Sequence, residues 1–236
     1  MKNNIAIVIP SYNEVKNVSI LIKGINKELR KTKIIIVDDS LPKENEKLKK
    51  ILKGKKDIIL ISRLRKAGRG SAVLEGFREA LKDKSIEYIF EMDSDLAHDP
   101  KEMIRFIDKK NNGKYDLIIG SRYLPGGKIK NIAANRTIMS RVINKFLYFW
   151  LGMHLTDHTS GFRLYSRRAI KFLANTEIKS TGFITLSESA YKLYLKKYSI
   201  GEVPITWNYR IYGKSNVNLG ELFNSLFFVI RMRSNI

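Results

Sequence analysis

The chain contains no cysteine, which excludes disulfides, zinc–thiolate centres and a thiol nucleophile. No stretch reaches the roughly 20 apolar residues that a membrane-spanning helix needs. No signal peptide is visible either, because the apolar run Ile5–Pro10 is short and breaks into Ser11-Tyr12-Asn13-Glu14. Acidic residues are scarce, 23 against 44 lysines and arginines, and the formal charge of +21 asks for an anionic partner. Zinc-finger, homeodomain and RNA-recognition signatures are missing, and lysines such as Lys43, Lys47, Lys53 and Lys56 simply solvate surface segments. Nucleic acid therefore ranks below a phosphate-bearing substrate at an anionic membrane surface. A dinucleotide fingerprint is lacking as well: the first apolar run leads into Pro10-Ser11-Tyr12 without glycine, and Gly68-Arg69-Gly70 lacks its third glycine. The Walker lysine motif is absent, and His98, His154 and His158 form no metal-ligand pattern.

What is present is an alternation of short apolar runs and helical patterns. The sequence predicts strands at Ile5–Ile9, Ile34–Val37, Ile58–Ser62, Tyr88–Asp93 and Leu117–Gly120. Between them it predicts helices over Asn17–Arg30, Glu44–Lys53, Gly70–Leu81 and Lys101–Lys110. Continuous apolar strands separated by helices imply an α/β fold with a mainly parallel sheet covered on both faces. Ligands then bind outside the carboxyl ends of the strands. Polar groups collect at those ends: Ser11 to Glu14, Asp38-Asp39, Arg63 to Arg69, Asp93 with Asp95, and Ser121-Arg122.

The segment Glu91-Met92-Asp93-Ser94-Asp95 is the most informative. If the strand continues, alternation of side chains puts Asp93 and Asp95 on one face. Mg²⁺ or Mn²⁺ favours such oxygen ligands, completed by substrate phosphates. The plainer alternative is that these acids shape the next turn, where Asp99-Pro100 already has the form of a helix cap. Asp38-Asp39 could accept hydrogen bonds from a base or ribose, or simply make a turn. Lys66 and Arg69, with the Gly68 and Gly70 backbone, could neutralise a diphosphate at a helix N-terminus.

Beyond Gly127 the texture changes. Ile138, Met139, Val142, Ile143, Phe146, Leu147, Phe149, Trp150 and Leu151 form a broad apolar stripe interrupted by Arg141 and Lys145. Leu219, Leu222, Phe223, Leu226, Phe227 and Ile230 repeat the pattern near the C-terminus. Either helix alone could pack on the sheet, but two of them with high positive charge suit peripheral membrane association. Arg122, Arg136 with Ser140 one helical turn on, and Arg210 with Lys214 could together grip a second phosphate.

Taken in order, these pieces resemble one family. They are Pro10-Ser-Tyr-Asn-Glu14, Val37-Asp-Asp39, Lys66-x-Gly-x-Gly-x-Ala72, Glu91-x-Asp-x-Asp-Leu96-x-His98-x-Pro100, Gly120-Ser-Arg-Tyr123, Asp157-x-Thr-Ser-Gly-Phe-Arg163, Gly201-Glu-Val-Pro-Ile205 and Arg210-x-x-Gly213-Lys-Ser215. The series is similar to the family 2 glycosyltransferases, and within them to the polyprenyl- and dolichyl-phosphate sugar transferases. The resemblance implies a GT-A fold, a nucleotide-sugar donor and inversion at the anomeric carbon. By matching position, Pro10, Tyr12, Glu14, Val37, Asp39 and Lys66 would bind the nucleotide. Asp93 and Asp95 would hold Mg²⁺ or Mn²⁺ and the diphosphate. Arg122, Arg136, Ser140, Arg210 and Lys214 would hold the acceptor phosphate, with Asp93, Asp95, Arg122 and Arg136 catalytic. The expected organisation is a catalytic domain over 1–216 and an amphipathic helix over 217–236. Within the domain, 1–123 would bind the donor and 124–216 the acceptor. GDP-mannose is the favoured donor and UDP-glucose the next, with a polyprenyl or dolichyl phosphate acceptor. The expected setting is the cytoplasmic face of a membrane, where a partner membrane protein could supply an anchor. One departure is Ser40-Leu41-Pro42-Lys43 in place of the family's usual Asn-Ser-Pro-Asp-Gly.

A phosphate acceptor suits this residue set. A sugar hydroxyl must lose a proton and needs a positioned base, whereas a lipid monophosphate is already anionic, with a second pKa of about 6 by analogy with phosphoserine. Asp157 is the candidate base for a hydroxyl acceptor, against a purely structural role in its loop. A non-catalytic module binding anionic membranes or nucleic acid is the rival outside enzymes.

Overall fold

The computed structural model describes residues 4–180, 182, 184–209 and 228–233. Seven strands among them form one sheet, in the order β3 (Ile58–Ser62), β2 (Lys33–Asp38), β1 (Ile5–Ser11), β4 (Tyr88–Glu91), β7 (Arg163–Ser166), β5 (Leu117–Ser121), β8 (Ile200–Pro204). The first five in chain order, β1 to β5, lie close to the runs read from the sequence. Strands β1 to β4 pair in parallel, and the β-branched residues of β1 and β2 are buried on both faces, Ile7, Val8, Ile35 and Ile36 all fully, while the edge strand β3 is partly buried. Helices α1 (Val15–Glu28) and α2 (Pro42–Leu52) serve one layer, with Val18, Leu21, Ile22 and Ile25 in the core beneath. Helix α3 (Arg69–Leu81) covers the other face. Gly76 lets it lie directly on β1, since a side chain there would meet Val8 and Val37.

The sheet is not built from the first half alone. β4 and β5 are separated by the antiparallel strand β7 (Arg163–Ser166), which pairs with both. β8 (Ile200–Pro204) then extends the far edge parallel to β5. Sequence periodicity missed β7, because Arg163-Leu-Tyr-Ser is too short and too polar to stand out. Helix α4 (Met103–Asn111) precedes β5, and α6 (Arg167–Ala174) and α7 (Ile184–Leu195) flank β7 and β8 in sequence. A small second sheet pairs β6 (Lys128–Lys130) with β9 (Thr206–Asn208). The apolar stripe of the second half is helix α5 (Ala134–Leu151), ended by Gly152 in the left-handed region at φ +65°.

Of the expected C-terminal helix, residues 228–233 are described and helical. Val229 is buried in the core and its carbonyl accepts a hydrogen bond from Trp150 of α5, so this turn packs against the domain. Leu219, Leu222, Phe223, Leu226 and Phe227 lie outside the described residues. Among the described residues no helix is long and apolar enough to cross a membrane.

Candidate active site

The carboxyl ends of β1, β2 and β4 open onto a cavity of about 290 Å³. Pro10, Tyr12, Glu14, Asp39, Lys66, Asp93 and Asp95 line it together with Gly68, Arg69 and Ala72. Lys66 sits 5.4 Å from the centre of the Tyr12 ring. Val37 does not join them. It is fully buried in the core against α3, because it is the last apolar residue of β2.

Asp38 and Asp39 divide their work. Asp38 is fully buried and accepts hydrogen bonds from Ser40 and Asn45, both at 2.8 Å. The same Ser40 hydroxyl takes a bond from the Asn13 backbone amide at 2.7 Å. The unusual Ser40-Leu41-Pro42 stretch is thus the latch between two strand-end loops, with Pro42 in the first turn of α2. Asp39 pairs with Arg63 at 2.5 Å and takes the Ala67 and Gly68 amides at 2.9 and 3.1 Å. It therefore shapes the glycine loop that opens α3.

Asp93 and Asp95 reach one cavity by a different route from the one alternation suggests. β4 ends at Glu91, and Asp95 lies in a turn that carries Leu96 at φ +64°. Asp95 accepts the Ala97 amide at 3.1 Å, so the turn holds it at the cavity that Asp93 also lines. Asp99 caps the 3-10 turn at Pro100 by accepting the Lys101 amide, as the sequence indicates. Asp93 is engaged by Arg69, whose Nε donates to Oδ1 at 2.7 Å while its Nη1 donates to Glu91 at 2.6 Å. Glu91 is buried and also accepts the Tyr165 hydroxyl at 2.8 Å. Burial would lower the Arg69 pKa, but Asp93 and then Glu91 raise it above its ordinary value.

A second cavity, about 430 Å³, lies between the Arg122 loop and α5. Its walls mix Leu124, Leu155 and Phe149 with Arg122, Arg141 and Lys145. Arg122 is clamped on Asp157 by Nε at 2.6 Å and Nη2 at 2.8 Å, and Asp157 is fully buried. Burial pushes the Asp157 carboxyl up, yet the Arg122 charge and hydrogen bonds bring it below the usual carboxylate range. Glu202 fixes the same loop by accepting the Thr156 and Asp157 amides. Fully buried Arg163 holds the loop's far end, donating to the carbonyls of Ser160, His158 and Leu186.

His98 lies close to the two acid–arginine pairs, 3.9 Å from Asp93 Oδ2. Burial, chiefly, lowers its pKa to about 4, with the Arg122 and Arg69 charges acting the same way and Asp93 opposing. It is therefore neutral at neutral pH.

Arg136 and Ser140 line neither cavity. Arg136 donates to the Tyr209 hydroxyl at 2.8 Å, and Ser140 accepts the Tyr123 hydroxyl at 2.7 Å. Arg210 and Lys214 lie outside the described residues. Arg141 and Lys145 were the residues that sequence reasoning passed over as interruptions of an apolar stripe. Their spacing of four, one helical turn, was the signal that they share a face.

As for a metal, two carboxylates on one cavity wall supply hard oxygen ligands that fit Mg²⁺ or Mn²⁺. No cluster of three or more His, Cys, Asp or Glu that could hold a metal occurs among the described residues. The set therefore fits a cation that is completed by substrate oxygens.

An α/β sheet with a polar cavity at its strand ends, lined by acids and by a basic glycine loop bonded to them, is an arrangement suited to a phosphate-bearing ligand. The family model for glycosyl transferase family 2 matches residues 6–173, and the chain belongs to that family. It is 31% identical over 225 residues to a polyprenol monophosphomannose synthase of Mycolicibacterium smegmatis, covering 94% of this chain and 84% of that one. An undecaprenyl-phosphate mannosyltransferase of Micrococcus luteus is 28% identical over 214 residues, 90% and 87% of the two chains. Among solved structures, glucosyl-3-phosphoglycerate synthase of Mycobacterium tuberculosis, crystallised with Mn²⁺, UDP and glucosyl-3-phosphoglycerate, superposes with a TM-score of 0.65. That match covers 98% of this chain and 79% of that one at 17% identity, and it establishes the GT-A fold. The chain is a glycosyltransferase.

Proposed function

We propose that this enzyme transfers a hexose from a nucleotide sugar to a polyprenyl monophosphate, with GDP-mannose the favoured donor and UDP-glucose the next. The names of its two mannosyltransferase relatives support the reaction class. The observation that carries it is where the acids lie. The 290 Å³ cavity is lined by carboxylates together with Lys66 and Arg69, while the second cavity is lined by no carboxylate, and Arg141 and Lys145 stand in it beside apolar residues with no carboxylate in ion-pair range among the described residues.

In the proposed step an acceptor phosphate oxygen attacks the anomeric carbon as the bond to the diphosphate breaks, inverting the configuration. The acceptor needs no base, which suits Asp157: ion-paired, buried and held ionised, it is a weak proton acceptor. What such a reaction requires is alignment and charge screening between two anions. Arg122, Arg141 and Lys145 supply positive charge on the acceptor side, and Lys66 and Arg69 on the donor side. A divalent cation at Asp93 and Asp95 would neutralise the departing diphosphate.

Peripheral membrane docking belongs to the same proposal. Ile138, Val142 and Phe149 of α5 are 62–66% exposed and recur at helical spacing beside the basic cavity. An apolar stripe flanked by cations suits the boundary of an anionic bilayer, and it would let a prenyl chain pass from lipid into the cavity.

The test offers GDP-mannose and UDP-glucose separately with a short polyprenyl phosphate and Mg²⁺ or Mn²⁺, against chelator and Asp95→Ala controls. Metal-dependent glycolipid from one donor is the expected result. Donor hydrolysis without lipid product overturns the acceptor assignment, and no use of either donor overturns the donor assignment.

A further inference from the structure

Arg69 is the first residue of α3 and lines the donor cavity, yet its guanidinium is turned onto Asp93, one of the two acids that would receive a metal, and onto Glu91 beneath it. Nε and Nη2 both lie 2.7 Å from Asp93 Oδ1, and Nη1 lies 2.6 Å from Glu91. Glu91 is 2% exposed and fixed from behind by Tyr165, so the clamp is anchored in the core. Gly161 is kept bare by it: a Cβ there would come within 2.5 Å of Arg69 Nη2 and 2.6 Å of Asp93 Oδ2.

We propose that Arg69 is a resident counter-cation that holds the Asp93 carboxylate until the donor diphosphate arrives, so that divalent metal and nucleotide load together and metal alone does not. The inference rests on the metal–diphosphate reading of Asp93 and Asp95 above and deepens it.

The electrostatics follow from the charges present. Asp93 and Glu91 already share one arginine, and a divalent ion arriving alone would sit beside that guanidinium with like-charge repulsion. No group of three or more His, Cys, Asp or Glu that could hold a metal occurs among the described residues to compensate. A diphosphate changes the balance in two ways. It brings further hard oxygens for the metal, and it gives Arg69, which faces the same cavity, an anion to pair with.

The experiment titrates Mn²⁺ into the full chain without any sugar donor, following the free-Mn²⁺ paramagnetic resonance signal, alone and with GDP or UDP. The wild type should take up Mn²⁺ weakly by itself and much more tightly with a nucleotide. Arg69→Gln should bind Mn²⁺ alone about tenfold more tightly or better, whereas Arg69→Lys keeps the charge and stays near the wild type. Thermal melting shows whether each variant is folded. A folded Arg69→Gln with unchanged or weaker affinity for Mn²⁺ alone overturns the inference. So does a wild type that binds Mn²⁺ equally well with and without nucleotide, which decides the matter even if the variant does not fold. If neither nucleotide brings Mn²⁺ to the wild type, the metal reading of Asp93 and Asp95 falls and the inference falls with it.

Discussion

The two cavities of this enzyme are wired in opposite ways. At the strand-end cavity proposed for the donor, two lining carboxylates are tied to arginines, Asp39 to Arg63 and Asp93 to Arg69, which buried Glu91 also holds. At the second cavity, proposed for the acceptor, one buried pair, Arg122 with Asp157, forms the frame, and Arg141 and Lys145 line the cavity without acids in ion-pair range among the described residues. The first arrangement suits a cation-bearing diphosphate that enters by exchanging partners. The second suits an anion that arrives alone and needs no proton removed.

Breaking the frame should have the largest effect. Arg122→Ala leaves the Asp157 charge buried without its partner, and should cost about 3–5 kcal/mol of stability, read by urea denaturation. The double replacement Arg122→Met with Asp157→Leu should recover a substantial part of that loss, because the uncompensated charge is gone. On the donor side, Asp95→Asn should lower the rate of transfer about 10²–10³-fold with little change in melting temperature, because Asp95 is partly exposed in a turn.

A third prediction concerns pH. His158, fully buried in the acceptor-side loop, has its pKa lowered from 6.5 to about 4, chiefly by burial. Its folded pKa lies below the unfolded one, so the unfolded chain binds the proton first as pH falls. Stability is complete above pH 6.5 and declines towards pH 4, by at most roughly 3 kcal/mol. Denaturation at several pH values on wild type and His158→Gln should show a flatter profile for the variant. The smallest effect sharpens the contrast most. Arg141→Ala and Lys145→Ala should each raise KM for the lipid phosphate about tenfold, the loss of one charge-assisted contact, while KM for the sugar nucleotide stays put.

Much of the strand-end cavity was legible in the sequence because its lining residues follow strands that announce themselves. Ile34-Ile-Ile-Val37 is apolar throughout, so the acids after it must stand at a sheet edge. That Tyr12, Asp39, Lys66, Asp93 and Asp95 meet around one cavity follows from parallel β1, β2, β3 and β4. What failed there was local: alternation along β4 does not carry past Glu91, and a turn does the alignment. Val37, read as a nucleotide contact, belongs to the core. The acceptor side was harder because its geometry is long-range. β7 is a polar four-residue strand whose place between β4 and β5 is set by pairing with both. Asp157 meets Arg122 across 35 residues of chain, and no periodicity encodes that. Arg136 and Ser140, assigned by resemblance to the acceptor phosphate, bond instead to Tyr209 and Tyr123 and line neither cavity.

The most direct test of the account is transfer to matched acceptors, a short polyprenyl phosphate and the polyprenol that lacks the phosphate, with wild type and Asp157→Asn. The account predicts metal-dependent glycolipid from the phosphate alone, and appreciable turnover in Asp157→Asn whenever that variant is folded. Comparable transfer to the free alcohol, abolished in folded Asp157→Asn, would contradict it and make Asp157 the catalytic base.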